Sequence, residues 1–159
     1  MTTDVDVQYI REAIDVAFKG VTLNEGGPFG AVIVKEGIVV GRGNNKVIAL
    51  NDPTAHAEVV AIREACRHLG SHQLHGCVIY ASCEPCPMCL GAIYWARPDR
   101  IVFACTREDA ASAGFDDDFI YKEISLFPDQ RRIKMEQCGR EQGLEVFRFW
   151  QNKSDKIQY

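Results

Sequence analysis

Two short strings do most to limit what this chain can become: Thr54-Ala55-His56-Ala57-Glu58 and Glu84-Pro85-Cys86-Pro87-Met88-Cys89. Each stands where a loop gives way to a helical pattern. Pro53 and Thr54 precede Ala57, Val59, Val60, Ala61, Ile62, Ala65 and Cys66, a run apolar on more than one face that Gly70 closes. Pro85 and Pro87 suit a helix start, where a missing N–H costs little. Cys86 and Cys89, spaced i and i+3, share one helix face and both reach a single ion at its first turn. His56 and Glu58, spaced i and i+2, share a site only at the first turn of their own helix, with the ion beyond its end.

One His and two Cys make three ligands of the zinc type and leave a fourth position for water. The positive end of a helix favours thiolates there. Glu58 is then a nearby carboxylate not needed as a ligand. Rival readings stand beside this one. A C-x-x-C after a strand also resembles a redox pair, but that leaves His56-Ala57-Glu58 unexplained. A structural zinc site needs a fourth ligand, for which Cys83 is the candidate. His56 alone reads as an ordinary histidine, and Glu58 alone as a solvent-facing helix residue.

The rest of the composition excludes more than it specifies. A chain of 159 residues is expected to form a single domain, 1–159, burying roughly 70% of its unfolded surface without disulfides. The net charge of −4 is even: residues 1–80 carry 7 basic and 9 acidic side chains, residues 81–159 carry 11 and 13. No Lys/Arg run offers the basic patch of a nucleic-acid binder, so nucleic acid is not the expected partner. Seven cysteines, an odd number with two in C-x-x-C, fit reduced thiols and a metal better than a disulfide framework. The acidic N-terminus has no apolar signal core, and no run of 18 apolar residues is present. Cytoplasm is the expected compartment, without membrane attachment.

Apolar spacing from Val7 to Val21 predicts a first helix, with Asp4 or Asp6 as cap. Ala31–Val34 and Ile38–Val40 read as strands joined by a tight turn at Lys35-Glu36-Gly37, necessarily an antiparallel hairpin. Residues 44–53 read as a loop and 55–69 as the second helix. Residues 77–81 form a strand, and a third helix starts at or just before Cys86 and ends at Pro98. Residues 101–104 form a fourth strand. Thr106 and Asp109 open a short helix to Ala113 as a capping box. Residues 114–121 read as an acidic loop. Ile133 and Met135, alternating with Lys134 and Glu136, predict a fifth strand, and 144–152 a last helix. The expectation is an α/β domain with a mixed five-stranded sheet flanked by helices in three layers.

H-x-E with a distant P-C-x-x-C matches the signature of zinc nucleobase deaminases. Gly26–Val34, Asn51–Glu58, Ala61–Cys66, Ser82–Pro98 and Gly114–Ile124 extend the match. On these residues the chain resembles the cytidine/deoxycytidylate deaminase-like superfamily, and within it the small bacterial zinc-dependent guanine deaminases. The likeness covers nearly the whole chain and is weakest between Ser125 and Gln151. It implies the three-layer cytidine deaminase-like fold, one zinc ion per subunit, and conversion of guanine to xanthine and ammonia. Zinc lowers the pKa of its water from 15.7 to about 7, giving hydroxide for attack on the ring carbon that bears the amino group. Glu58 moves the protons.

The zinc strings are shared with cytosine, cytidine and tRNA adenosine deaminases, so the choice of ring rests on other residues. By the resemblance, Phe29 packs on the base, Asn45 and Ala57 contact it, and Asp117 meets the N1/N2 edge and assists proton transfer. Tyr159 closes the pocket from a C-terminal segment, about 153–159, exchanged with the second subunit of a homodimer. Guanine's N1–H and N2–H₂ are donors, which suits a carboxylate. Read without the resemblance, Phe29 is equally a core residue, Asn45 a loop stabiliser, the Asp116–Asp118 run a solvated turn, and Tyr159 an ordinary chain end. A deaminase of guanosine, of another aminated heterocycle or of tRNA adenosine, and a non-catalytic zinc-stabilised module, are the alternatives.

Overall fold

The computed structural model describes residues 2–115 and 117–158. It contains two compact units, divided between Asp117 and Asp118. In the first unit, helix α1 (Asp4–Thr22) is followed by β1 (Gly30–Lys35), β2 (Ile38–Asn44), the single turn α2 (Val47–Leu50) and α3 (Ala57–Leu69). Strand β3 (Cys77–Cys83), α4 (Pro87–Ala96), β4 (Arg100–Cys105) and α5 (Arg107–Ser112) complete it. The second unit holds α6 (Asp118–Ser125), a 3₁₀ turn (Pro128–Gln130) and α7 (Arg140–Asn152).

The sheet order is β2-β1-β3-β4, with β1 antiparallel to both neighbours and β3 parallel to β4. Glu36 and Gly37, both at positive φ, make the two-residue hairpin turn that matches strand twist. Strand β1 is buried on both faces. Ala31 and Ile33 enter the core with Val40, Ala61, Ala65, Ile79 and Ile93. Val32 and Val34 enter the opposite core with Tyr9, Ala13, Tyr80 and Val102. So α1 covers one face while α3 and α4 cover the other. Complete burial of each Ile or Val contributes roughly 1.5–3 kcal/mol before chain entropy is subtracted.

Close helix–sheet approach depends on missing side chains. A Cβ on Gly43 would stand 2.2 Å from the Ala57 carbonyl oxygen, and one on Gly30 2.1 Å from that of Ala13. On the α1 side, Asp6 is buried and accepts hydrogen bonds from the Tyr80 hydroxyl (2.8 Å), the Thr3 amide (2.8 Å) and Arg100. These tie the helix to β3 and β4 and hold the Asp6 carboxyl well below its ordinary range, Arg100 contributing most.

Several expectations need correction. Among the described residues the sheet has four strands, not five. Ile133 and Met135 lie outside any strand and are 81% and 57% exposed. Alternation alone does not make a strand without a pairing edge, and the second unit offers none among its described residues. The cap of α1 is Thr3, with Asp6 as its capping-box partner, rather than Asp4 or Asp6. The acidic loop ends early because α6 starts at Asp118, and α7 starts at Arg140 rather than Leu144. Thr106 and Asp109 do form the capping box of α5. No helix among the described residues is long and apolar enough to cross a membrane.

Candidate active site and metal centre

Both strings end at helix starts. His56 is the N-cap of α3 and Cys86 the N-cap of α4, each with extended backbone. Pro87 opens α4, and Cys89 follows on its first turn. Ala57 and Glu58 are the first two residues of α3, and both are buried. The i and i+2 problem is thereby solved: His56 projects from just outside the helix, and Glu58 reaches the same space from its first turn.

Among the described residues, His56, Cys86 and Cys89 form the one group of three donors able to hold a metal, their ligand atoms all within 4.8 Å of one another. Cys86 Sγ lies 3.6 Å from His56 Nδ1. Zinc–ligand lengths of about 2.3 Å to sulfur and 2.0 Å to nitrogen in a tetrahedron require a separation of roughly 3.5 Å, so the set fits zinc. Cys83 stands outside the group. Its thiol donates to the Thr106 carbonyl at 3.4 Å, and burial pushes it up to about 11. That removes the proposed fourth ligand, and with it the closed structural site.

The electrostatics suit ligands and a proton carrier. Hydrogen bonds from Cys89 and then His56 hold Cys86 well below the ordinary thiol range, against the opposing effect of burial. Cys89 is driven far up by its bond to Cys86 and by burial, and its thiol donates to Glu58 Oε2 at 3.4 Å. A bound cation displaces such protons, since metal ligation requires thiolates. Burial raises the Glu58 carboxyl, bringing it toward the range where a group both takes and gives protons. His56 is raised, first by its bond to Cys86 and in smaller part by the charges of Glu58 and Asp117.

The outer residues gather less uniformly. Phe29 is partly buried against the core and meets Phe115 edge-on, ring centroids 5.0 Å apart at 85°. It is therefore both a core residue and part of an aromatic pair. Asn45 is buried, and its Oδ1 accepts from the Gly27 and Val47 amides. Asp117 lies close enough to act on His56 through its charge. Tyr159 lies outside the described residues. The resemblance marks Phe115 only as part of the 115–117 stretch that tells the guanine deaminases apart; the structure adds its packing on Gly27 and Phe29.

A buried carboxylate beside three convergent nitrogen and sulfur donors is the apparatus of a zinc-dependent hydrolase, which holds its ion by three protein ligands. The chain belongs to the family described as the cytidine and deoxycytidylate deaminase zinc-binding region, whose profile matches residues 3–105. It is 52% identical over 151 residues to the guanine deaminase of Bacillus subtilis, covering 95% of this chain and 97% of that protein. A crystal structure of the Bacillus subtilis guanine deaminase superposes with a TM-score of 0.94 at 50% identity, covering 100% of this chain and 99% of that one. A tRNA-specific adenosine deaminase of Aquifex aeolicus is 48% identical, but over 77 residues, 48% of this chain and 51% of that protein.

Proposed function

We propose that the chain removes the amino group of guanine by hydrolysis, giving xanthine and ammonia. The observation that carries this reading is the 52% identity to a guanine deaminase across 95% of the chain, against 33% for a tRNA-specific adenosine deaminase of Haemophilus influenzae aligned across 87% of it. The Glu58 carboxylate beside the His56, Cys86 and Cys89 donors supports the reaction type.

A zinc ion held by His56, Cys86 and Cys89 would supply Lewis acidity and lower the pKa of a water to about 7. Glu58 is the residue that takes a proton from the attacking water as the water oxygen joins the ring carbon bearing the amino group. It passes that proton to a ring nitrogen, then takes the second proton from the hydroxyl now on the ring carbon and delivers it to the amino nitrogen, so that the C=O bond forms as the C–N bond breaks with loss of ammonia. In this reading Asp117 accepts from the N1–H and N2–H₂ donors, which also lets it take part in proton movement. Phe29 and Ala57 bound the ring, and Asn45 bonds to it. Tyr159 closes the pocket.

We further propose that the chain works as a single deaminase domain of a cytoplasmic homodimer in which residues 153–159 are exchanged. Support comes from the free state of all seven cysteines and from α7, where Val146, Phe147 and Phe149 are 68%, 64% and 72% exposed and call for a covering surface. Size-exclusion chromatography of a variant lacking residues 153–159, with its guanine activity, tests the exchange. An unchanged oligomeric state with unchanged activity would overturn it.

The substrate is tested by ammonia release from guanine, guanosine, adenine, cytosine and a tRNA bearing a wobble adenosine. Guanine should give the highest kcat/KM. A higher value for any other member of the panel overturns guanine as the substrate.

A further inference from the structure

The Gly26–Gly27 backbone lies against Asn45 more closely than any side chain would allow. A Cβ on Gly26 would stand 2.1 Å from Asn45 Oδ1, 2.6 Å from the Asn45 carbonyl oxygen and 2.9 Å from its carbonyl carbon. Gly26 is not among the residues at positive φ, so close approach, not backbone conformation, demands glycine here. Asn45 Oδ1 accepts from the Gly27 amide at 3.3 Å and the Val47 amide at 3.2 Å. Turning the carboxamide over would set its NH₂ against two N–H donors and forfeit both bonds. The same residue is fixed through its backbone. Its amide donates to the Phe29 carbonyl at 3.0 Å. Its carbonyl accepts from Asn44 Nδ2 at 3.1 Å, an amide that also donates to Glu25 Oε2 at 2.7 Å. Gly20 on α1 makes room for Asn44 in turn, since a Cβ there would stand 2.5 Å from Nδ2.

We infer that Gly26 is a positioning residue: the Cβ it lacks lets the Gly26–Gly27 backbone clamp the Asn45 carboxamide with its NH₂ as the ligand-facing donor, so the site selects a ring that presents a hydrogen-bond acceptor there. The inference rests on the reading of Asn45 as a ring-binding residue. Guanine offers such acceptors at O6 and N7. Gly26 need not touch the ring; it acts through the direction in which Asn45 faces.

Two variants test this. Asn45→Asp keeps an oxygen for both backbone amides but has no donor to offer. It should retain its melting temperature and zinc while KM for guanine rises about tenfold or more, the value of one lost hydrogen bond. Gly26→Ala should raise KM by a similar factor with kcat changed less than about threefold, the pattern of lost uniform binding. Hydrogen exchange at the Gly27 and Val47 amides, measured on the zinc-loaded protein without purine, should quicken in Gly26→Ala and stay slow in Asn45→Asp. In an Asn45→Ala background, Gly26→Ala should add little further loss. Wild-type guanine affinity in Asn45→Asp, an unchanged KM in Gly26→Ala, or an undiminished penalty in the Asn45→Ala background would overturn the assignment. If Gly26→Ala does not fold, Asn45→Asp decides alone. A wild-type protein that releases no ammonia from guanine would instead overturn the substrate, and the exchange measurements would still judge the clamp.

Discussion

Cys89 Sγ and Glu58 Oε2 lie 3.4 Å apart, so the carboxylate stands against the metal-binding group without being one of its three donors. That placement separates binding from proton transfer. Glu58→Ala should lower kcat for ammonia release by about 10²–10⁴ or more, the usual span for loss of a general acid–base, while metal analysis still finds one zinc per chain. Residual activity near wild type would remove Glu58 from the proton-transfer role.

Loss of a donor should behave in the opposite order. Cys86→Ser, Cys89→Ser and His56→Ala each remove one of the three convergent atoms. Zinc affinity should fall by more than about 100-fold, beyond the loss typical of outer partners, with activity lost in proportion. A competing chelator should remove the metal from these variants at concentrations that leave the wild type loaded. Cys83→Ser, whose thiol is turned to the Thr106 carbonyl, should keep its zinc.

The centre was legible in the sequence because its constraints are local. His56, Cys86 and Cys89 each sit within a few residues of a proline or a helix boundary, and the spacing of each string fixes its geometry. The hairpin and the two helices behind the site were legible for the same reason. The packing between residues far apart in the chain was not. Gly26 matters because of Asn45, nineteen positions on, and Phe115 because of Phe29, far back in the chain. Neither has a periodicity that would announce it. The expected strand at Ile133 and Met135 failed because local alternation says nothing of whether an edge is there to pair with.

Gly43 tests whether the helix that carries Glu58 must lie this close to the sheet. A Cβ at Gly43 would meet the Ala57 carbonyl oxygen at 2.2 Å and the Ala61 nitrogen at 2.5 Å. Gly43→Ala should destabilise by about 1–3 kcal/mol, the range for overpacking, and lower kcat as well, because the first turn of α3 must shift. Gly91, whose Cβ would meet nothing within 4 Å, is the control. Gly91→Ala in the interior of α4 should be neutral or stabilising by up to about 1 kcal/mol. Thermal melts and guanine kinetics on the two variants separate these outcomes.

Asp117 is near enough to His56 for its charge to raise the imidazole. If it also accepts from guanine, Asp117→Asn exchanges a charged acceptor for a neutral one and should lower kcat/KM by about 10–100-fold, the value of a hydrogen bond to a charged group. Zinc content should not change. A loss of zinc in parallel with activity would instead assign Asp117 to support of the metal site.

Asp6 predicts how stability responds to acid. Buried and bonded to Arg100, Tyr80 and Thr3, its carboxyl is held below its ordinary value of 3.8. The native state therefore stays ionised at a pH where the unfolded chain already takes up the proton. Stability from this group is complete above about pH 4 and declines as pH falls below that toward the depressed native value. Asp6→Asn removes the titration and leaves Arg100 without its buried partner. Urea midpoints of wild type and variant should differ most at about pH 7 and equally at about pH 5, then converge below about pH 3. A gap that stays constant with acidification would mean that Asp6 stabilises α1 through packing and capping rather than through its charge.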